Sequence, residues 1–188
     1  MPRAGLRPDV VVAEAADVAD EVGLPRLTLQ AVADRLGVRL PSLYKHVEGL
    51  DDLHRGVSTL ALRELGDRLA GAAVGKSRGD AVRAIAEAYR SYAHEHPGRY
   101  AATVRAPAPD DHAHLAAADG VLRTVLSVLA GYGLSGSDAI DATRGLRATL
   151  HGFCALEAAG GFGLPQDVDR SFTRLVTAVE SALPAWAA

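Results

Sequence analysis

Apolar residues recur at spacings of three and four along nearly the whole chain, and no stretch alternates convincingly with a period of two. This pattern predicts an all-α fold of about nine helices. The first opens at Pro8 and carries Val11, Val12, Ala15, Val18, Ala19 and Val22, and Gly23 and Pro25 stop it. Leu29, Val32, Ala33 and Leu36 make one face of a second helix. Thr28 supplies its N-cap oxygen, and Gly37 its stop, where a residue that tolerates positive φ is wanted. Pro41 opens a third, where its missing N–H costs nothing. Leu43 and Val47, four apart, can hold that helix on the second. A long fourth helix starts near Leu50 and carries Leu53, Val57, Leu60, Leu65 and Leu69. The small, glycine-containing segment 71–79 is the clearest break. A fifth helix is predicted over 80–94, a short one from Arg99, and three more over 112–131, 137–159 and 168–183.

The two short helices and tight turn over 28–46 read as a helix-turn-helix, with small Ala33 where the helices cross. The residue order here resembles the TetR family of bacterial transcription regulators. The resemblance is carried by Thr28, Ala33, Leu36-Gly37-Val38 and Ser42-Leu43-Tyr44-Lys45-His46. Leu50-Asp51-Asp52-Leu53 follows at the family's spacing. The segment 147–153 resembles one C-terminal domain type of these regulators. The resemblance implies a DNA-binding domain over 1–50 and a helical ligand-binding and dimerisation domain over 51–188. It also implies a homodimer that pairs the last two helices of each copy, a double-stranded DNA operator and a small-molecule effector. Two positions depart from the family pattern. Arg39 stands where a capping Ser or Thr is usual, and Leu50 stands where many members carry a phosphate-binding lysine.

A second reading helix would lie in the major groove, with its N-terminal residues facing the bases. That places Arg39, Leu40, Pro41 and Ser42 nearest the base edges and Tyr44, Lys45 and His46 at phosphates, which position without specifying. Thr28 and Gln30, where the first reading helix starts, complete the candidate DNA-binding set. The net charge of −3 is unfavourable for binding DNA as a whole. A local positive surface suffices, however. Arg3 and Arg7 in an N-terminal arm could add to Arg39, Lys45 and His46, while the acids cluster at Asp17, Asp20, Glu21, Asp51 and Asp52. So few cations per subunit imply that two subunits must bind together.

The length of 188 residues allows one or two compact domains. Hydrophobic residues make up 48%, but only three are Phe and one is Trp, which suits close-packed helices rich in alanine, leucine and valine. No uninterrupted apolar run approaches the roughly 18 residues of a membrane span, and the first residues lack a signal peptide's apolar core. Cys154 is the single cysteine, so no internal disulfide can form. These features favour a cytoplasmic protein without membrane contact.

Several motifs imitate other chemistry. Residues 131–136 match G-x-G-x-x-G, yet they end a helical pattern instead of following a strand, so a helix–helix turn is expected. His94 and His96, like His112 and His114, are two apart and do not share a helix face. His151, Cys154 and Glu157 are spaced by three, but a zinc site needs convergent ligands, and a Cys/His hydrolase needs an oxyanion donor that is not evident. No metal, cofactor or enzymatic activity is expected. Tyr89, Tyr92, Tyr100, Arg105, Arg147, His151, Cys154 and Glu157 are polar or aromatic groups on otherwise apolar helices, and they are the candidate lining of an effector pocket. Leu146, Leu150 and Phe153, with Phe172, Leu175, Val179 and Leu183, step by three and four and form the candidate dimer seam. The expected function is therefore a dimeric regulator, a repressor released from a palindromic operator by a small molecule. The rival is an all-α small-molecule-binding protein or enzyme with a vestigial helix-turn-helix.

Overall fold

The computed structural model describes residues 6–187. Among these are nine α-helices, two 3-10 turns and no strand. The helices are α1 (Pro8–Val22), α2 (Leu29–Leu36), α3 (Leu40–Leu43), α4 (Leu50–Ala73), α5 (Arg78–Glu95), α6 (Pro97–Ala102), α7 (His112–Ala130), α8 (Gly136–Ala158) and α9 (Val168–Ala182). The 3-10 turns are Leu24–Arg26 and Leu183–Trp186. The all-α expectation holds, and most predicted ends fall within a residue or two. α6 begins at Pro97, two residues before the expected Arg99, because proline suits the first helical position and His96 alone supplies the break. Of the expected arm, Arg3 lies outside the described residues. Arg7 precedes α1 and is paired with Asp9 at 2.5 Å.

The chain forms two compact units. One takes in the chain up to Glu64 together with Glu95–Ala118; the other takes in Leu65–His94 and everything from Asp119 on. The two reading helices thus share a unit with the first part of α4 and with α6.

The core of the first unit is built by the predicted apolar faces. Val11, Ala15, Ala19, Val32, Ala33, Leu43, Leu53 and Val57 have no measurable exposure. Each of the larger side chains contributes about 1.5–3 kcal/mol by leaving water. α6 crosses α1 at Gly98 so closely that a Cβ there would lie 2.0 Å from the Ala19 carbonyl oxygen. The crossing is also held by charge. The Arg99 amide donates to Asp20 at 2.8 Å, and its guanidinium reaches Asp17, Asp20 and Glu64. Deeper in, Ser58 donates to the Ala102 carbonyl at 2.8 Å and lies 2.9 Å from Nε2 of buried His114. The single hydroxyl proton is used on Ala102, so His114 must donate from Nε2. Burial holds His114 below the usual histidine range, with Asp111 opposing and Arg105 adding to the shift. Burial also lowers His54.

In the second unit, Ile85, Tyr92, Leu129 and Phe172 are the largest fully buried side chains. The 131–136 glycine motif is a helix–helix turn, with Gly133 and Gly136 at φ of 81° and 55°. α7 has the length and composition of a membrane span, but Asp119 and Arg123 form an ion pair within it.

Two expectations follow. Gly98→Ala should destabilise the protein by at least about 1–3 kcal/mol, because the atom it meets is backbone and cannot rotate away; thermal unfolding reads this. For His114 the sign is fixed by its depressed value. The unfolded chain takes up the proton first, so stability is full above about pH 6.5 and falls as pH drops below it. Denaturation midpoints between pH 7.5 and pH 5.5 (roughly one pH unit to either side) should show that slope, and His114→Gln should reduce it to the part that His54 contributes.

Candidate nucleic-acid interface and effector site

The helix-turn-helix is fixed by local chemistry. Thr28 is extended, and its Oγ1 accepts from the Ala31 amide at 3.1 Å. α2 ends at Gly37, which is left-handed at φ 63° and ψ 34°, and the Val38 amide reaches back to the Ala33 carbonyl at 3.0 Å. α3 has no side-chain cap at Arg39 and holds a single helical turn. Beyond it the His46 and Val47 amides both bond the Leu43 carbonyl. Leu43 and Val47 are buried against α2, as their spacing predicts.

This anchoring leaves Arg39, Pro41, Tyr44 and Lys45 exposed, with Ser42 and His46 half-buried. Tyr44 is 56% exposed and so does not pack between helices. Leu40 is half-buried, with part of its side chain packed on the core of its unit. Thr28 and Gln30 are exposed, but the Gln30 amide is engaged with Asp34 at 2.7 Å. Of the nearby cations, Arg35 is held by Glu14 at 3.1 Å and Glu21 at 2.5 Å. Arg55 is held by Asp52 at 3.0 Å.

The eight candidate effector residues divide between the units. Tyr100 and Arg105 belong to the first. Tyr100 is buried there, and Arg105 pairs with Asp51. The other six belong to the second. Tyr89, Tyr92 and Cys154 are buried, and burial pushes the Cys154 thiol up to about 11. His151 is half-buried and Arg147 exposed, one turn apart on α8. Glu157, with 17% of its side chain exposed, is grasped by Arg90 at 2.5 and 2.9 Å and meets His94 at 2.7 Å. The hydrogen bonds from Arg90 hold its carboxyl below the usual range, against the effect of burial.

Arg90 was not in the predicted set. Its side chain is 10% exposed, also pairs with Asp169 at 2.7 Å, and lies over the rings of Phe172 and Phe153 at 4.7 and 5.6 Å. The only sequence signal for it is a long cation immediately after a buried tyrosine. An open cleft of about 610 Å³ lies within the first unit, lined by Val12, Asp52, Arg55, Thr59, Arg63 and Asp111 among others. None of the eight candidates borders it.

The predicted dimer seam needs correction. Leu146, Leu150, Phe153, Phe172 and Leu183 are buried within their own unit. Phe153 and Phe172 meet edge to face at 5.1 Å. Side chains that have already lost their water have no area to give a partner. Of the set, only Leu175 and Val179 keep partial exposure. The faces of α8 and α9 that remain outward carry Ala148, Ala155 and Leu156, and Leu175, Ala178 and Ala182.

A one-turn reading helix held on an all-helical frame by a glycine turn defines the class: helix-turn-helix DNA-binding proteins. The family model for the tetracyclin repressor-like C-terminal domain matches residues 82–179. The HTH-type transcriptional regulator Rv0681 of Mycobacterium tuberculosis is 41% identical over 174 residues, covering 92% of this chain and 79% of that protein. The HTH-type transcriptional regulator YobS of Bacillus subtilis is 35% identical over 173 residues, covering 92% and 90%. Among solved structures, the regulatory protein SCO4313 superposes with a TM-score of 0.72 at 26% identity, covering 92% of this chain and 96% of that one. A TetR variant from Acinetobacter baumannii AYE, in complex with minocycline, gives 0.75 at 19% identity, covering 97% and 99%, and shows the shared fold. The chain belongs to the TetR family of transcriptional regulators.

Proposed function

We propose that the protein is a ligand-responsive repressor that binds a roughly palindromic operator as a homodimer in the cytoplasm, without enzymatic activity. The observation that carries this reading is the exposed set Arg39, Pro41, Tyr44 and Lys45, presented on a buried Leu43–Val47 anchor. Arg39 can take guanine O6 and N7 as a fork, and Pro41 can touch a thymine methyl. Leu40 and Ser42 stay with them near the base edges, and Thr28, Tyr44, Lys45 and His46 serve the phosphates. Residues 1–50 read DNA, and 51–188 bind the effector and dimerise. The buried, raised thiol of Cys154 leaves no ready nucleophile beside His151 or Glu157, which supports a binding role for that region.

The effector site belongs to the second unit, near Tyr89, Tyr92, Arg147, His151, Cys154 and Glu157. The minocycline complex of a solved neighbour supports a small-molecule ligand. Such a ligand releases DNA only if it binds the non-fitting state better, since equal binding shifts nothing. The outward faces of α8 and α9 serve the dimer.

Lys45→Ala should weaken specific and non-specific DNA binding by similar factors and lower the salt slope by about one, whereas Arg39→Ala should relax base preference. Gel shifts that showed both variants binding like wild type would refute this placement of the reading helix. For the dimer, Leu175→Asp or Ala178→Asp should sediment as a folded monomer with weakened operator binding. Phe172→Asp should instead unfold the second unit. A folded Leu175→Asp dimer would move the interface elsewhere.

A further inference from the structure

The charges that follow the reading helix pose a problem for DNA binding. The last exposed cation of this segment is Lys45, and Glu48, Asp51 and Asp52 come shortly after. Asp51 is five residues from His46, so it lies within about 18 Å of it. Bare carboxylates there would act on phosphates over a screening distance of about 10 Å at 0.1 M salt. Asp52 is answered locally: it accepts the Glu48 amide at 3.0 Å and pairs with Arg55 at 3.0 Å. Asp51, with 67% of its side chain exposed, has only a 3.5 Å approach from Arg55 on its own helix. Its main partner comes from 54 residues away. Arg105, in the loop after α6, sets two guanidinium nitrogens against the two carboxylate oxygens at 2.8 and 3.2 Å. This fork holds the Asp51 carboxyl below the usual range, so Asp51 stays ionised and needs a cation to quiet it.

We propose that Arg105 is a positioning residue for DNA binding: it masks Asp51, so that the first turn of α4 does not repel the phosphate backbone. Without it, Asp51 and Asp52 share the single guanidinium of Arg55. The proposal rests on the DNA-reading surface proposed above. It assigns Arg105 to that surface and removes it from the effector site.

The test measures binding of the full-length protein to a random-sequence duplex and to one from upstream of its own gene. Arg105→Gln should bind both about two- to fivefold more weakly at low salt, a deficit of the size expected for one partly screened like-charge contact. Arg105→Lys should bind nearly as wild type, since it restores the charge without the fork. The double variant Asp51→Asn with Arg105→Gln should recover wild-type affinity, because no charge is left to mask. The deficit should vanish as salt rises towards about 0.5 M. A double variant as weak as Arg105→Gln, or a deficit unaffected by salt, would overturn the proposal: Arg105 would then hold a phosphate itself or serve only the loop. Lys45→Ala in the same assay separates the two readings. If it binds weakly while Arg105→Gln binds like wild type, masking alone fails. If both bind like wild type, the interface itself is misplaced.

Discussion

The contact on which the DNA-reading unit depends is the backbone-to-backbone crossing of α1 and α6. At Gly98 the two chains approach closer than any side chain permits, and the Arg99 amide is bound to Asp20 of α1 beside it. α1 is also the floor of the reading helices: its Val11, Ala15 and Ala19 are sealed against the same core that holds Val32, Ala33 and Leu43. α6 and the reading helices are therefore fastened to one element on shared sides. Close packing leaves such an element little room to yield gradually, so a shift of α6 is passed on to α1.

Electrostatics supplies the second constraint. Four arginines of this unit are already committed: Arg35 to Glu14 and Glu21, Arg55 to Asp51 and Asp52, Arg99 to Asp17, Asp20 and Glu64, and Arg105 to Asp51. The chain's net charge of −3 thus coexists with a narrow positive surface at Arg39 and Lys45. So sparse a surface offers few cations to phosphates, which is why the function proposed above sets two copies on one duplex.

The parts legible in the sequence were those set by neighbours along the chain. The Thr28 cap, the left-handed Gly37, the Pro41 start and the Leu43–Val47 pair all act within a few residues, and the structure keeps each of them. Periodicity also placed the helices, because it reports which face is dry. It does not report what dries it. That is why the stripe through Leu146, Leu150, Phe153 and Phe172 read as a seam between copies, although these residues fill their own unit's core. Pairings across long separations left no periodic trace. Arg90 finds Glu157 67 residues on, and Arg105 finds Asp51 54 residues back. A long charged side chain can bend back from either edge of an apolar face, so its position in the pattern does not name its partner.

Cys154 has a consequence of a different kind. It is the only thiol of the chain, it lies in the core of the second unit at 1% exposure, and its proton is held tightly. An alkylating reagent therefore meets almost no thiolate while that unit is closed. Modification has to wait for a transient opening around α8, and its rate counts those openings. The chain's own thiol thus reports the breathing of one unit, with no cysteine to be introduced.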